Sequence, residues 1–178
     1  MNCIVYIATS LDGFIATEDG GLDWLNSVPN PDNNDYGWAD FNNQIDAILM
    51  GRKTFDFVLS FGGWLYEKPV HVLSTALEVI PDHLTDKATL HHGPISEVLA
   101  DLEAQGIQQL YVDGGTLISS FLREDLIDEM IITRVPVLLG TGIPLFTNTG
   151  AEKSFTHLKT EVLKNALVKS HYTRVKPE

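Results

Sequence analysis

Gln109–Leu122 reads QLYVDGGTLISSFL, and the fold turns on how this stretch is parsed. Leu110, Tyr111 and Val112 make a short apolar run, and Asp113-Gly114-Gly115 breaks it. Leu117, Ile118, Phe121 and Leu122 then recur at helical spacing behind Thr116. The parse is strand, glycine turn, helix. Adjacent glycines allow backbone dihedrals that a Cβ forbids, and they let a ligand come close to the chain. The helix that follows aims unpaired N–H groups and the positive end of its dipole at the same gap, which makes an anion site. A tight turn with no ligand reads the same way in isolation, so the rest of the chain has to decide.

Upstream, Cys3–Ala8 (CIVYIA) is apolar on both faces, as suits a central strand of a mostly parallel sheet. The loop after it, TSLDGFIATEDGGL, carries turn signals at Asp12-Gly13 and Asp19-Gly20-Gly21 around an apolar patch of Phe14, Ile15 and Ala16. Asn26–Asn34 reads as loop. Asp35 then precedes a helix whose Trp38, Phe41 and Ile45 share one face, where Asp35 is either a cap or a carboxylate at a pocket rim. Asp46–Met50 (DAILM) is a strand, and Gly51-Arg52-Lys53-Thr54 opens the next helix. Residues 1–50 hold eight acids and no Lys or Arg, so Arg52 and Lys53 are the first cations of the chain. A helix N-terminus disfavours cations unless an anion sits between them and the helix. Arg52 is therefore a candidate phosphate ligand.

Pro69–Leu73 ends in Ser74-Thr75, whose hydroxyls either bond a phosphate or cap the turn. Ala88–His91 is a further strand, and Ile95, Val98, Leu99 and Leu102 line a helix that stops at Gly106. Strands alternating with helices predict an α/β fold, in which ligands bind beyond the carboxyl ends of the strands. The loop after Ala8, Gly51–Thr54, Ser74-Thr75 and Gly114–Thr116 all fall at such ends. Met130–Val135 is another strand, and Leu158–Leu163 with Leu167–Val175 forms a hairpin across Lys164-Asn165-Ala166, so the sheet ends antiparallel.

Bulk properties narrow the function classes. The chain has 178 residues, read as a single domain over 1–178, with 44% hydrophobic and 20% charged residues. A formal net charge of -12 argues against nucleic-acid partners, which need clustered cations. No apolar run approaches a membrane span and no basic region precedes the first apolar run, so a cytoplasmic protein is expected. Cys3, the single cysteine, allows no internal disulfide. The six histidines show no i,i+4 pairing and have no cysteine partners, so no metal site is expected. No Walker loop, G-x-S-x-G elbow or G-x-G-x-x-G is present.

Taken together, ATSLDGFIA at 8–16, DAILMGRKTF at 46–55, VLST at 72–75, VDGGT at 112–116 and ITRV at 132–135 resemble the dihydrofolate reductase superfamily, in particular its riboflavin-biosynthesis reductase domains. The resemblance implies a single-domain, three-layer α/β fold with a mostly parallel central sheet, helices on both faces and an antiparallel C-terminal hairpin. It implies NADPH as cofactor. The nicotinamide would lie near Ala8 and Ile15. Gly51, Arg52, Lys53, Thr54, Leu73, Ser74 and Thr75 would surround the extra ribose phosphate. Gly114, Gly115, Thr116 and Leu117 would take the pyrophosphate, and the glycine pair can form a cis peptide in this family. On the substrate side it implies Asp35 as the catalytic acid, with Trp38 and Thr133 beside it. Asp113 stands where dihydrofolate reductases carry glycine, and the Asp-Asp-Pro segment of riboflavin-pathway reductases is replaced by SFGGWLYEKP. The expected activity is reduction of a pteridine- or aminopyrimidine-like heterocycle by a homodimer. The alternatives are a phosphoribosylamino-uracil reductase and a non-catalytic NADPH-binding module.

Overall fold

In a computed structural model describing residues 1–164 and 166–175, the chain alternates strands and helices. The first half forms Asn2–Thr9 (β1), Phe14–Ala16 (β2), Trp38–Gln44 (α1), Ala47–Gly51 (β3), Arg52–Ser60 (α2), Val70–Leu73 (β4) and Ala88–His91 (β5). The second half forms Ile95–Ala104 (α3), Gln109–Asp113 (β6), Gly115–Arg123 (α4), Glu129–Arg134 (β7), Ile143–Pro144 (β8), Phe155–Leu163 (β9) and Leu167–Arg174 (β10). Eight strands make one sheet in the order β5-β4-β3-β6-β1-β7-β10-β9. β1 has parallel neighbours on both sides, β6 and β7, which is why its sequence is apolar on both faces. β10 runs antiparallel to β7 and to β9, as the hairpin reading requires.

Two apolar layers sandwich the sheet. Ile4, Ile48, Met50, Val70, Val72 and Tyr111 face α1 and α2 and bury Phe41 and Phe55. Cys3, Val5, Leu49, Leu110 and Val112 face α3 and α4 and bury Val98, Leu102, Ile118 and Phe121. Each large side chain removed from water contributes about 1.5–3 kcal/mol, so the alternating inward positions of the strands fix their register.

Four local features differ from the sequence reading. β9 begins at Phe155, three residues before Leu158, because Phe155 packs under the second apolar layer. The loop after β1 is not wholly irregular: β2 pairs with β8 in a separate two-stranded sheet, and Trp24 is buried on a short 3-10 turn, Asp23–Ser27. α4 begins at Gly115 rather than Thr116. No cis peptide occurs among the described residues, so the cis glycine bond implied by the resemblance is absent. Asn165, within the hairpin turn, lies outside the described residues.

Candidate functional site

β3 and β6 are adjacent and parallel, with Met50 opposite Asp113. From β3 the chain enters α2 on one face, and from β6 it enters α4 on the other. Both helix N-termini therefore sit over the same strand ends, at a topological switch point. Both are started by glycine, Gly51 and Gly114, and neither glycine supplies a side-chain cap. In α4, Ile118 N–H reaches Gly114 O at 2.9 Å, so the N–H groups of Gly115, Thr116 and Leu117 face out of the helix end.

The two glycines serve different purposes. Gly114 has φ 98, and a Cβ there would collide with Thr54 Oγ1 of α2. Conformational necessity therefore lies at Gly114. At Gly115 the backbone is helical, and an added Cβ would stand 2.8 Å from Ile15 Cδ1. Leu117 turns its side chain into the core, leaving only its amide for the crevice.

Arg52 and Lys53 are exposed at the start of α2, and Arg52 Nη1 donates to Asp56 Oδ2 at 3.0 Å. The pairing of Gly51 with Leu73 brings Ser74 and Thr75 alongside. Thr75 is exposed. Ser74 is buried, and its Oγ accepts the N–H groups of Ala76 (3.1 Å) and Leu77 (2.9 Å), so it caps the turn. His92 fixes the same loop, with Nδ1 2.6 Å from the Ser74 carbonyl.

On the α1 side, Ala8 lies opposite Thr133, which in turn lies opposite Lys169. Trp38 meets Tyr6 edge-on at 5.9 Å and Tyr111 at 6.0 Å. Asp35 lies ahead of α1 and is exposed, not in the partly buried position expected of it. Its carboxylate accepts from Ala39 N–H at 2.9 Å and Gly37 N–H at 3.0 Å. Those two amides hold its pKa below the usual carboxylate value. Asp35 therefore holds the turn that leads into α1, whose N-cap residue is Gly37.

The enclosed acid of this face is Asp113, which keeps only part of its surface open to solvent. Burial raises its pKa from 3.8 to about 6, against the smaller opposing pull of the Tyr111 hydroxyl and the Gly114 N–H. Its charge in turn helps push the Tyr66 and Tyr111 phenols upward, mainly an effect of their own burial. Asp113 thus stands at the end of β6 among tyrosines, next to the glycine turn.

A model of the RibD C-terminal domain matches residues 2–169. The chain belongs to the RibD C-terminal domain family. The uncharacterised protein YwjB of Bacillus subtilis (strain 168) is 35% identical over 175 residues, spanning 96% of this chain and 97% of YwjB. A crystal structure of a protein from Shewanella sp. PV-4, provisionally assigned to riboflavin biosynthesis, is 49% identical. It superposes with a TM-score of 0.96, covering 99% of this chain and 100% of that one. The Thermotoga maritima diaminohydroxyphosphoribosylaminopyrimidine deaminase/5-amino-6-(5-phosphoribosylamino)uracil reductase shares the fold at a TM-score of 0.72 and 17% identity. The alignment covers 98% of this chain but 56% of that bifunctional protein.

Within this RibD-type domain, the structure brings Gly51–Thr54, Thr75 and Gly114–Leu117 to one edge, with Ile15 over Gly115 and Ala8 one strand away. It keeps Asp35 at the periphery. The sequence reading missed the role of Asp12. Its carboxylate accepts from Ser10 Oγ (2.5 Å), Gly140 N–H (2.8 Å) and Leu139 N–H (3.2 Å), stapling the loop after β1 to the loop before β8. The Asp-Gly signal was visible, but a partner more than a hundred residues away was not. Two concavities lie elsewhere, one of about 310 Å³ against β7 and β10 and one of about 250 Å³ beside Trp64 and Leu84. Neither touches the glycine-started helix ends. No helix is long and apolar enough to cross a membrane among the described residues.

Proposed function

We propose that this protein is an NADPH-dependent reductase of a C=N bond in a flat pyrimidine- or pteridine-type heterocycle. One observation carries the reading: α2 and α4, both started by glycine, leave adjacent parallel strands on opposite faces and open their N-termini over one crevice. NADPH carries two anionic groups for two such ends. In this reading the amides of Gly114, Gly115, Thr116 and Leu117 take the pyrophosphate. Gly51, Arg52, Lys53 and Thr54, with Leu73, Ser74 and Thr75, surround the ribose phosphate, and Ala8 and Ile15 flank the nicotinamide. The glycine turn fits such a ligand because Gly114 has no room for a Cβ beside Thr54, so its backbone stays bare at the crevice. The cofactor supplies the hydride.

The chain's own part is to hold the ring and deliver a proton to the nitrogen that becomes basic. Asp113 supports that role better than Asp35. Its carboxyl holds a proton up to about pH 6, whereas Asp35 is an exposed carboxylate engaged by two amides. Trp38 and Thr133 line the substrate side in this assignment. The test is calorimetric titration of NADPH and NADH, followed by NADPH consumption with pterins, aminopyrimidines and their phosphoribosylated forms. Absence of NADPH binding, or of turnover on every ring tried, refutes the reductase assignment.

A further inference from the structure

His92 stands at the outer edge of the crevice, next to the residues assigned to the ribose phosphate. It follows β5, and its ring is fixed in place: Nδ1 lies 2.6 Å from the Ser74 carbonyl oxygen. A carbonyl only accepts, so Nδ1 carries the hydrogen of this bond. The other ring nitrogen, Nε2, is left for a ligand, and the side chain is exposed to solvent rather than sealed in the core.

The sheet sets the position. β3, β4 and β5 are successive parallel neighbours, with Gly51 opposite Leu73 and Leu73 opposite His91. Ser74 N–H donates to the His91 carbonyl at 3.1 Å, which ties the two loops together as they leave the sheet. Leu90 packs into the apolar layer beneath α2, and His92 is two residues further on. A row therefore runs along the strand ends from Arg52 and Lys53 through Ser74 and Thr75 to His92. Neighbouring strands are about 4.8 Å apart, so the row spans roughly 10 Å. An arginine and a histidine reach across such a gap from its two ends, and a phosphate above Ser74-Thr75 meets both. Ser74 Oγ is taken by the amides of Ala76 and Leu77, and Arg52 is shared with Asp56, so this row has use for another donor.

We propose that His92 is a specificity-determining residue of the cofactor site: with both ring nitrogens protonated, its Nε2 donates to the extra ribose phosphate, so that the preference for NADPH over NADH strengthens as pH falls. The location rests on the reductase reading above. In the neutral ring that donates through Nδ1, Nε2 carries a lone pair and offers a phosphate nothing. The imidazolium donates from both nitrogens. Histidine is the side chain that makes this change between pH 5 and 8. The ionisable groups around it are His91 and His71 on the strands, Glu97 and Asp101 on α3, and Arg52 and Lys53 at the start of α2. Burial lowers the His91 pKa against the opposing charge of Asp101, and burial lowers that of His71, its partner at 2.8 Å. The inner pair therefore stays neutral while the outer ring is free to charge.

The probes are NADP+ and NAD+, titrated by calorimetry at about pH 5.5 and about pH 8, on either side of the histidine range. The phosphate itself gains a proton near pH 6, so the readout is the difference between variant and wild type at each pH. His92→Asn keeps an amide N–H where Nδ1 stands, preserving the bond to Ser74, and removes Nε2. It is expected to weaken NADP+ by about 10-fold or more at the lower pH, the scale of a hydrogen bond to a charged group, and by less than about twofold at the higher. NAD+ should bind the variant and wild type alike. In wild type near pH 7, binding NADP+ should take up protons, read from heats in buffers of different ionisation enthalpy, and binding NAD+ should not. Equal losses for both nucleotides in His92→Asn, or the same loss at both pH values, leave His92 as a brace for the loop and overturn the proposal. Unchanged NADP+ binding in the variant, or net proton release by wild type, overturns it as well, and in these cases the reductase reading stands. Failure of wild type to bind NADP+ at either pH overturns the reductase reading and this inference with it.

Discussion

Replacing Asp113 by asparagine should make the protein more stable and less active, and the two effects follow from one burial. The folded-state pKa of Asp113 is about 6 against an ordinary 3.8. Because the folded value is raised, the favourable contribution of the protonated carboxyl is fully present below the unfolded pKa and is lost as pH rises through about 6. Two pKa units correspond to about 3 kcal/mol at alkaline pH, where the wild-type fold must bury a carboxylate. The amide of the variant is neutral at every pH and escapes that cost. In a chain of this length 1 kcal/mol moves the melting temperature by roughly 2–4 °C. Since the amide needs hydrogen bonds of its own, Asp113→Asn should melt roughly 5–10 °C above wild type near pH 8, the gap closing toward about pH 4. Calorimetric melts of both proteins at the two pH values measure this. In parallel, steady-state NADPH consumption should fall by ~10²-fold, the scale of acid–base participation. Wild-type turnover should decline as pH rises through about 6. An offset that is the same at both pH values, or a variant that melts lower near pH 8, refutes the buried-acid reasoning; unimpaired turnover refutes the proton-donor role.

Three further outcomes are expected. Arg52→Ala should weaken NADPH by about 1–2 kcal/mol, less than a fully buried charged contact because Arg52 must first leave Asp56, and should spare NADH; equal losses by calorimetry would remove Arg52 from the phosphate site. Asp35→Asn should lower the melting temperature while leaving turnover intact, because its carboxylate holds the amides of Gly37 and Ala39; a collapse of turnover with an unchanged melt would return the catalytic role to Asp35. Burial, with His91 at 2.8 Å, depresses the His71 pKa from 6.5 to about 4. Its stabilising share is present above the unfolded pKa and lost as pH falls toward about 4, by up to about 3 kcal/mol. Over that interval Asp113 has the opposite sign, so urea melts of Asp113→Asn should expose the acid-side loss that wild type largely masks.

Hydrophobic periodicity and the placement of glycine were enough to read the α/β alternation, the parallel core, the antiparallel close and the convergence of four loops at one edge. Both signals are local and act within a few residues. A two-faced apolar run such as Cys3–Ala8 suits a central strand, and Gly114-Gly115 before a helix suits a turn. Single residues were less legible where their chemistry depends on distant partners. Ser74 was open between a phosphate ligand and a turn cap, and only packing shows its Oγ accepting from the amides of Ala76 and Leu77. Asp12 looked like a turn residue and is a staple to Leu139 and Gly140. Asp35 and Asp113 are the same side chain on paper. The packed chain leaves one solvated and bonded to amides, and pushes the other upward by burial among tyrosines, because a pKa is set by desolvation and neighbouring charge, not by residue type.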